Sequence, residues 1–573
     1  MRAERIDNNE ARSMFLPTSK KEMRQLGWKA LDIILVSGDA YIDSPHIGLA
    51  VIGKVLLNAG YRVGVIPQPN TAGPDDITRL GEPGLFWGVS AGCVDSMISN
   101  YTASLKKRKD DDLTAGGRNV RRPDRAVIAY TNLIRRCFKK TRPIVLGGIE
   151  ASLRRISHYD YWSDSVRRSV LFDAKADVLV YGMGEKTVLE LAACLRKKKP
   201  FTDVRGLCYK SPEKREDYLE LPSHARAARD RQAFIDMFTA FYQNCDPVTA
   251  RGLCQRQDTR YLIQNPPQWP LTADELDRVY ELNYERRAHP CHQAEGPVRA
   301  LETIAFSITS HRGCCGECAF CSIAVHQGRQ VVSRGEASIL KEARKLTRHP
   351  DFKGIIPDIG GPTANMYGLT CGRWTTQGAC PDRHCLTPAP CQRLVNGHKR
   401  QVRLLEKLRE LPNIKKVFIG SGIRHDLVVH DGKYGPAYLK AVVGHHVSGQ
   451  MKVAPEHSQT HILKLMGKPE AGVLTRFAVD FQRLNRELDK DQYLTCYFIA
   501  AYPGCTLADM MALKRFAREV LGFKPQQVQI FTPSPSTVAT LMYYTEQSFP
   551  EAVPLFVEKN LEKKEAQKKT LLS

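Results

Sequence analysis

Short apolar runs recur along the first third of the chain, with helically spaced stretches between them. Asp32-Ile33-Ile34-Leu35-Val36-Ser37 is the first, 61–67, 85–90, 143–148 and 177–182 repeat it, and 47–58, 126–138 and 185–195 carry apolar residues at helical spacing. A continuously apolar strand can leave neither face in water, so this alternation predicts an open parallel sheet covered by helices on both sides. Ligand loops would then lie at the carboxyl ends of its strands. Between 210 and 295 the pattern loosens: Pro222, Pro247, Pro266, Pro267, Pro270 and Pro290 interrupt helical pieces at 229–242 and 272–284, predicting a helical connecting region packed on its neighbours. A second alternation follows, with strands at 303–310, 354–360, 416–420, 451–454, 493–500 and 528–531, and with Leu474, Phe477, Phe481, Leu484 and Leu488 marking the clearest helix between them. Six right-handed βα units predict a partial (β/α)6 TIM-like barrel whose chemistry sits at the carboxyl ends of its strands. The chain thus reads as α/β, with a sheet domain over 1–209, the connecting region over 210–295, the barrel over 296–548 with an insertion at 364–397, and a charged tail over 549–573 that ends in a frayed helix.

A chain of 573 residues with 42% hydrophobic side chains divides into two or three domains, each with a core. The first twenty residues carry no apolar segment followed by a small-residue cleavage site, and no stretch approaches about 18 apolar residues, which predicts neither secretion nor membrane spanning. Seventeen cysteines without a small disulfide scaffold fit a reducing cytoplasm in which thiols serve metals. The net charge of +23 would attract RNA or another phosphate-rich partner, although runs such as Lys106-Lys107-Arg108-Lys109, Arg196-Lys197-Lys198-Lys199 and Lys563-Lys564 also read as plain solvated faces.

The sharpest chemical signal is His311-Arg312-Gly313-Cys314-Cys315-Gly316-Glu317-Cys318-Ala319-Phe320-Cys321, which sets three thiols at C-x3-C-x2-C spacing directly after the first barrel strand. Three soft ligands in one loop suit an iron–sulfur cluster with one iron left open, a three-thiolate zinc site, or thiols that bind nothing. Cys315 falls outside the spacing and reads as a bystander. A second group, Cys371, Cys380, Cys385 and Cys391, lies in the proline-rich insertion and suits zinc, an auxiliary iron–sulfur cluster or free thiols. Gly147-Gly148-Ile149-Glu150 and Gly182-Met183-Gly184-Glu185 end two strands of the first sheet as tight turns or ligand cradles. Lys452 and Glu456, on or beside a strand expected to be buried, need polar partners, either structural or in a cavity.

With Phe320 directly before the third cysteine, the triplet resembles the signature of the radical S-adenosylmethionine superfamily. The first domain resembles the cobalamin-binding-like, flavodoxin-type domain that precedes many barrels of that superfamily. The D-x-H-x-x-G signature of a lower axial imidazole is replaced by Asp43-Ser44-Pro45-His46-Ile47-Gly48, which places cobalamin in doubt and leaves His46 a loop or cap residue. Together with Ile359-Gly360-Gly361-Pro362-Thr363-Ala364-Asn365-Met366-Tyr367-Gly368 and the cysteine-rich insertion, these features resemble the YgiQ-type radical S-adenosylmethionine family over about 15–548. The resemblance implies a [4Fe–4S] cluster on Cys314, Cys318 and Cys321 and S-adenosylmethionine on its open iron. One-electron cleavage would yield a 5′-deoxyadenosyl radical that acts on a substrate the resemblance does not specify. It also implies an electron donor such as flavodoxin or ferredoxin, with S-adenosylmethionine contacts at Phe320, Gly360, Gly361, Ser421 and Arg424. Tyr502-Pro503-Gly504 is similar to a turn of the methylthiotransferase-like branch. Two alternatives carry no radical chemistry: a metal-cluster module that binds RNA through its basic surface, and an electron carrier.

Overall fold

The computed structural model describes residues 15–381 and 383–573. Nine strands form the principal sheet in the order Leu219–Leu221, Leu253–Gln257, Arg260–Gln264, Leu207–Ser211, Val178–Val180, Ile144–Gly147, Phe86–Ser90, Ile33–Ser37 and Val63–Pro67. The last five are all parallel to one another, with Ile33 opposite both Val63 and Phe86, and Val145 opposite Val178. In chain order these five stand 2-1-3-4-5, the flavodoxin-like doubly wound arrangement. Alternation along each strand sorts side chains onto two cores. Ile33, Leu35, Val145 and Val178 pack against the helices Gly48–Asn58 and Glu185–Arg196, whereas Ile34, Val36, Leu146 and Leu179 share the core of helix Ala126–Cys137. Each strand reads as uninterrupted apolar sequence because both of its faces are covered.

The remaining four strands correct the helical reading of 210–295. The helices Arg231–Gln243 and Ala273–Glu281 are where the pattern places them, and Phe234, Met237, Phe238 and Phe241 bury one stripe of the former. Yet Leu253–Gln257 and Arg260–Gln264 form an antiparallel hairpin, and the latter pairs antiparallel with Leu207–Ser211, so this stretch widens the first sheet. Buried amides conceal these strands. Gln255 accepts from Ser157 N (3.1 Å), Gln257 from Ser169 N (3.1 Å) and Gln264 from Arg155 Nε (3.1 Å), so polar residues occupy positions where a strand pattern expects apolar ones.

Six strand positions of the second half follow one another through parallel pairings. Ile308–Thr309 pairs with Ile359–Gly360, and Ile355–Ile356 with Lys416–Val417. A parallel bridge joins Ile423 to Val453, and Gln450–Glu456, Tyr493–Ala500 and Gln527–Ile530 stand side by side in chain order. Helices lie between them, and Leu474, Phe477, Phe481 and Leu484 of Ala471–Glu487 are buried as the spacing requires. No helix among the described residues is long and apolar enough to cross a membrane.

The two halves meet with the carboxyl ends of their strands facing one another. Arg312 pairs with Glu185 across the junction, His46 Nε2 lies 3.3 Å from Thr309 Oγ1, and Ser536 Oγ donates to Leu153 O at 2.7 Å. The basic runs 106–109 and 196–199 are exposed, as a solvated face would be.

The tail departs from the expected frayed end. Leu561–Leu572 is a docked helix that buries Lys564, Gln567 and Leu571, and Gln567 Oε1 accepts from Ala501 N at 2.9 Å. Lys564 donates to the hydroxyls of Tyr543 (2.9 Å) and Tyr161 (3.3 Å), its ammonium 4.8 and 5.0 Å from their ring centres. Burial brings this ammonium down to about 8. The unfolded chain therefore holds a proton that the folded one releases between pH 8 and about 10.5, and stability rises with pH across that window by up to about 3 kcal/mol. Thermal melts over this range should show the rise, and Lys564→Met should flatten it.

Candidate functional site

The cysteine loop begins at the short ladder His311–Arg312 with Val332–Ser333 and is pinned along its length. Gly313 N donates to Gln327 Oε1 (3.1 Å), Cys314 N to Gly328 O (3.2 Å), and Cys321 N to Cys318 O (2.8 Å). Ala319 is held twice, its N–H on Met466 O at 2.9 Å and its carbonyl on Ala539 N at 2.8 Å. Glu317 sits at φ 44°, a left-handed conformation unusual for a side-chain-bearing residue, and its carboxylate accepts from Arg329 Nε (2.9 Å) and Tyr242 OH (3.1 Å) and lies 3.6 Å from His384 Nδ1. Burial alone would raise that carboxyl; its partners, His384 and Arg329 first, hold it below the usual range.

Cys314, Cys318 and Cys321 are half-buried and share one electrostatic neighbourhood, while Cys315 is fully buried and points into the core beneath. Burial, then the nearby Cys318, raises the Cys314 thiol, and burial followed by Cys318 and Cys314 pushes Cys321 up to about 12. Thiols so placed ionise when a cation takes the proton's place. Among the described residues no three His, Cys, Asp or Glu side chains are already drawn to one coordination point, so ligation would require side-chain adjustment within the loop.

Two buried cations face these sulfurs. Arg424 Nη1 lies 3.6 Å from Cys318 Sγ, and its other nitrogens form a two-pronged contact with Asp426 at 2.9 and 2.5 Å. Asn365 fixes the Arg424 backbone by accepting its N–H (2.8 Å) and donating to its carbonyl (3.0 Å). Lys468 donates to Ala454 O (2.8 Å), pairs with Glu456 (3.4 Å) and stands 5.6 Å from the Phe320 ring. Burial opposes its charge, but Cys318 and Glu456 offset this and leave the ammonium above its ordinary range. Burial pushes the Asp426 carboxyl up, and Arg424 outweighs that and brings it down to about 2.

The other residues singled out in the sequence lie around this loop. Phe320 packs edge-on to buried Tyr502 at 6.3 Å. Gly360 and Gly361 are required by close approach, since a Cβ at Gly360 would stand 2.5 Å from Ser421 Oγ and one at Gly361 2.6 Å from His311 Nε2. The carbonyl of Gly360, a residue expected to contact S-adenosylmethionine, already accepts from Ser310 N (2.6 Å) and Ser310 Oγ (3.0 Å). Ser421 donates to Asp358 Oδ1 at 3.0 Å, and Arg424, expected to contact S-adenosylmethionine, lies against the thiols. Lys452 is exposed, contrary to the buried strand expected there, whereas Glu456 is buried and paired. Lys468, Asp426, Asp358 and Glu317 escaped sequence reasoning; a lysine or aspartate alone in a helical or turn segment carries no spacing signal.

Cys371, Cys380, Cys385 and Cys391 line one small cavity together with His384. Their segment packs through Trp374 and Leu386 onto Cys315, so the two cysteine groups share a core.

Between the halves lies a larger cavity of ≈ 490 Å³, within the size range of small-molecule sites. Gly147 and Gly148 of one predicted turn and Gly182 and Gly184 of the other open onto it, as do His46 and His311. Two buried polar atoms on its wall, Glu185 Oε2 and His311 Nε2, have no hydrogen-bond partner among the described residues. The ring nitrogens of His46 lie 3.4 Å from Ser44 Oγ and 3.3 Å from Thr309 Oγ1.

Comparison with known proteins places this architecture. A UPF0313 protein of Fusobacterium nucleatum subsp. nucleatum is 54% identical, over 97% of this chain and 98% of that one. The chain belongs to the UPF0313 family. A second member, from Thermotoga maritima, is 47% identical over 98% of both chains, and one from Methanocella arvoryzae is 47% identical over 95% of this chain and 91% of its own. The radical SAM N-terminal family matches residues 15–307, so this UPF0313 protein is of the radical S-adenosylmethionine type that its cysteine motif resembles. Two solved structures share the fold. The radical S-adenosylmethionine methyltransferase TsrM from Kitasatospora setae, with cobalamin and a [4Fe–4S] cluster bound, superposes with TM-score 0.52 at 14% identity over 91% of this chain and 80% of its own. The cobalamin-dependent radical enzyme OxsB, with aqua-cobalamin bound, gives 0.51 at 12% identity over 92% of this chain and 57% of its own.

Asp426→Asn should leave the Arg424 guanidinium buried with its compensating charge removed. A loss of about 3–5 kcal/mol is expected. It would appear as a lowered unfolding midpoint, largely recovered when Arg424→Met is added.

Proposed function

We propose that this protein is a radical S-adenosylmethionine enzyme whose second half forms a partial (β/α)6 barrel and holds a [4Fe–4S] cluster on Cys314, Cys318 and Cys321. The observation that carries the proposal is the gathering of three half-buried thiols on one pinned loop, with Arg424 and Lys468 against them. The donor set fits the group, since three thiolates match three irons of a cubane and leave the fourth open. When bound, such a cluster supplies the electron that cleaves S-adenosylmethionine to methionine and a 5′-deoxyadenosyl radical.

The chain's own contribution is electrostatic and positional. Arg424 and Lys468 offset the negative charge of the thiolates, and Asp426 and Glu456 hold the two cations in place. Phe320 and Tyr502 exclude water from one side. The double acceptance at Gly360 O leaves Gly361 as the turn residue available to an incoming ammonium. An electron-donor protein such as a flavodoxin or ferredoxin would complete the system. The seventeen free cysteines fit a cytoplasmic setting.

The interdomain cavity favours a second cofactor. The missing axial-histidine motif argues against cobalamin, but the space between the two sets of strand ends argues for a corrinoid bound without a protein imidazole. Both ring nitrogens of His46 face hydroxyl groups, and Glu185 Oε2 and His311 Nε2 are orphaned polar atoms suited to the amide groups at a corrin edge. The alternative of a non-catalytic RNA-binding module would use only the exposed basic runs and would leave this cavity without a role.

Anaerobically reconstituted protein should carry about four irons and four sulfides at this site and release 5′-deoxyadenosine on reduction with S-adenosylmethionine. Cys314→Ala, Cys318→Ala and Cys321→Ala should each abolish the release; a folded wild-type protein that binds iron yet yields no deoxyadenosine would overturn the reading. For the cavity, Gly147→Phe should fill free space, since a Cβ there meets nothing nearer than Val180 O at 4.0 Å. It should abolish retention of hydroxocobalamin in equilibrium dialysis while leaving the iron content unchanged.

A further inference from the structure

We infer that Cys371, Cys380, Cys385 and Cys391 bind one structural zinc ion, which fastens the 364–397 insertion against the first cysteine loop. This inference stands apart from the radical chemistry, because it uses none of Cys314, Cys318 or Cys321.

Four thiols spread over 21 residues are brought to the wall of a single cavity. A tetrathiolate set suits zinc or an iron–sulfur cluster equally well by chemistry and by charge, so the room between the thiols must decide. The cavity measures ≈ 10 Å³, about the room of one water-sized sphere. That seats a single ion, whereas a four-iron core would need the thiols to move farther apart; no three of them are yet drawn to one point, so zinc also closes the site by side-chain rotation. Zinc bound by four thiolates carries a net charge of about −2. Arg373, Arg383 and Arg393 line the same cavity, so the surroundings supply the opposite sign. Arg373 Nε is buried and has no hydrogen-bond partner among the described residues, which leaves one donor for a thiolate sulfur.

The segment also needs such a staple. Among the described residues, the stretch 371–394 that carries the four thiols has for regular structure only the four-residue helix Trp374–Gln377, and its apolar anchoring rests on Trp374 and Leu386 over Cys315, with Leu394 beside them. So small a core supplies little stability by itself, and a structural ion supplies it instead. The backbone already folds back on the thiols: Trp374 N donates to Cys371 O (3.1 Å), Cys391 N to Cys385 O (2.8 Å) and Leu394 N to Cys391 O (3.0 Å). Binding forms four zinc–sulfur bonds as four S–H protons leave to solvent, with no change in oxidation state.

The decisive measurement is metal analysis of the full chain carrying Cys314→Ala, Cys318→Ala and Cys321→Ala together, purified anaerobically. About one zinc per chain and no iron or sulfide is expected. Iron with sulfide retained in this variant would overturn zinc in favour of an auxiliary cluster, and absence of any metal would overturn the site. Adding Cys371→Ala and Cys385→Ala should abolish the zinc and speed proteolytic cleavage within 364–397. Because these substitutions could unfold the insertion for other reasons, a second readout uses cobalt(II) in the triple variant with its four insertion cysteines intact. Intense sulfur-to-cobalt charge-transfer absorption and tetrahedral ligand-field bands at one equivalent are expected, displaced by one equivalent of zinc; a spectrum of hydrated octahedral cobalt would overturn the tetrathiolate.

Discussion

The ion pair between Arg312 and Glu185 is the contact on which the geometry of the site depends. Both side chains are almost wholly withdrawn from water, so each would be costly alone. Glu185 opens the helix Glu185–Arg196, where the amide dipoles favour a carboxylate, and Arg312 stands two residues before Cys314. Tyr280, from the connecting region, accepts a hydrogen bond from Arg312 Nε at 3.1 Å and lays its ring 5.1 Å from the guanidinium. Three successive parts of the chain therefore converge on one cation. Removing any of them would leave a buried charge exposed to apolar surroundings, so the cysteine loop and the first sheet hold a fixed relation. The second carboxylate oxygen of Glu185 is left facing the interdomain cavity. The pair that joins the halves thus also furnishes the wall between them.

Parallel topology supplies the rest of the arrangement. All strands of a parallel sheet deliver their carboxyl ends to one side, and two such sets face each other here across ≈ 490 Å³. Several loops leaving those ends bend through left-handed residues that bear side chains: Glu317 at φ 44°, Glu456 at 69° and Ala501 at 55°. Such conformations persist where surrounding contacts over-determine them. Glu317 is held by three side chains and Glu456 by Lys468, so the bends are fixed by the ion pairs that arrange charge around the thiols.

The five parallel strands of the first sheet could be read directly, because burial on both faces writes itself as unbroken apolar sequence. The strands of the second half were located with less precision, since Gln450–Glu456 and Gln527–Ile530 alternate exposed and buried positions and the stretch 303–310 opens in the helix Leu301–Ile304 before the strand Ile308–Thr309. The three strands between 219 and 264 could not, because their inward positions are filled by Gln255, Gln257 and Gln264, whose amides satisfy backbone and side-chain partners that no local pattern reveals. The docked tail was missed for a related reason. Lys564 looks like surface sequence, and only the approach of Tyr161 and Tyr543, some 400 and 21 positions away, gives its ammonium a buried home. At the site, spacing was enough to bring Cys314, Cys318 and Cys321 together, since side chains of one short loop must be neighbours. It was silent on Asp426 and Lys468, whose roles arise from neighbours distant in sequence. Arg424 was expected at S-adenosylmethionine, whereas Asn365 and Asp426 direct it to sulfur.

The two cysteine groups form one mechanical unit. Cys315, the member of the triplet that the spacing excludes, is the apolar surface on which Trp374, Leu386 and Leu427 rest. Glu317, two residues further on, approaches His384 of the insertion at 3.6 Å and binds Arg329 on its other side at 2.9 Å. A loop held at only one edge would have its thiol positions set by its own short turns. This one is clamped on the insertion through Cys315 and Glu317, on Met466 and Ala539 through Ala319, and on the first sheet through Arg312. Order in 364–397 therefore carries over to Cys314 and Cys318 by direct packing, and whatever stabilises the insertion narrows the range of positions that those sulfurs can sample.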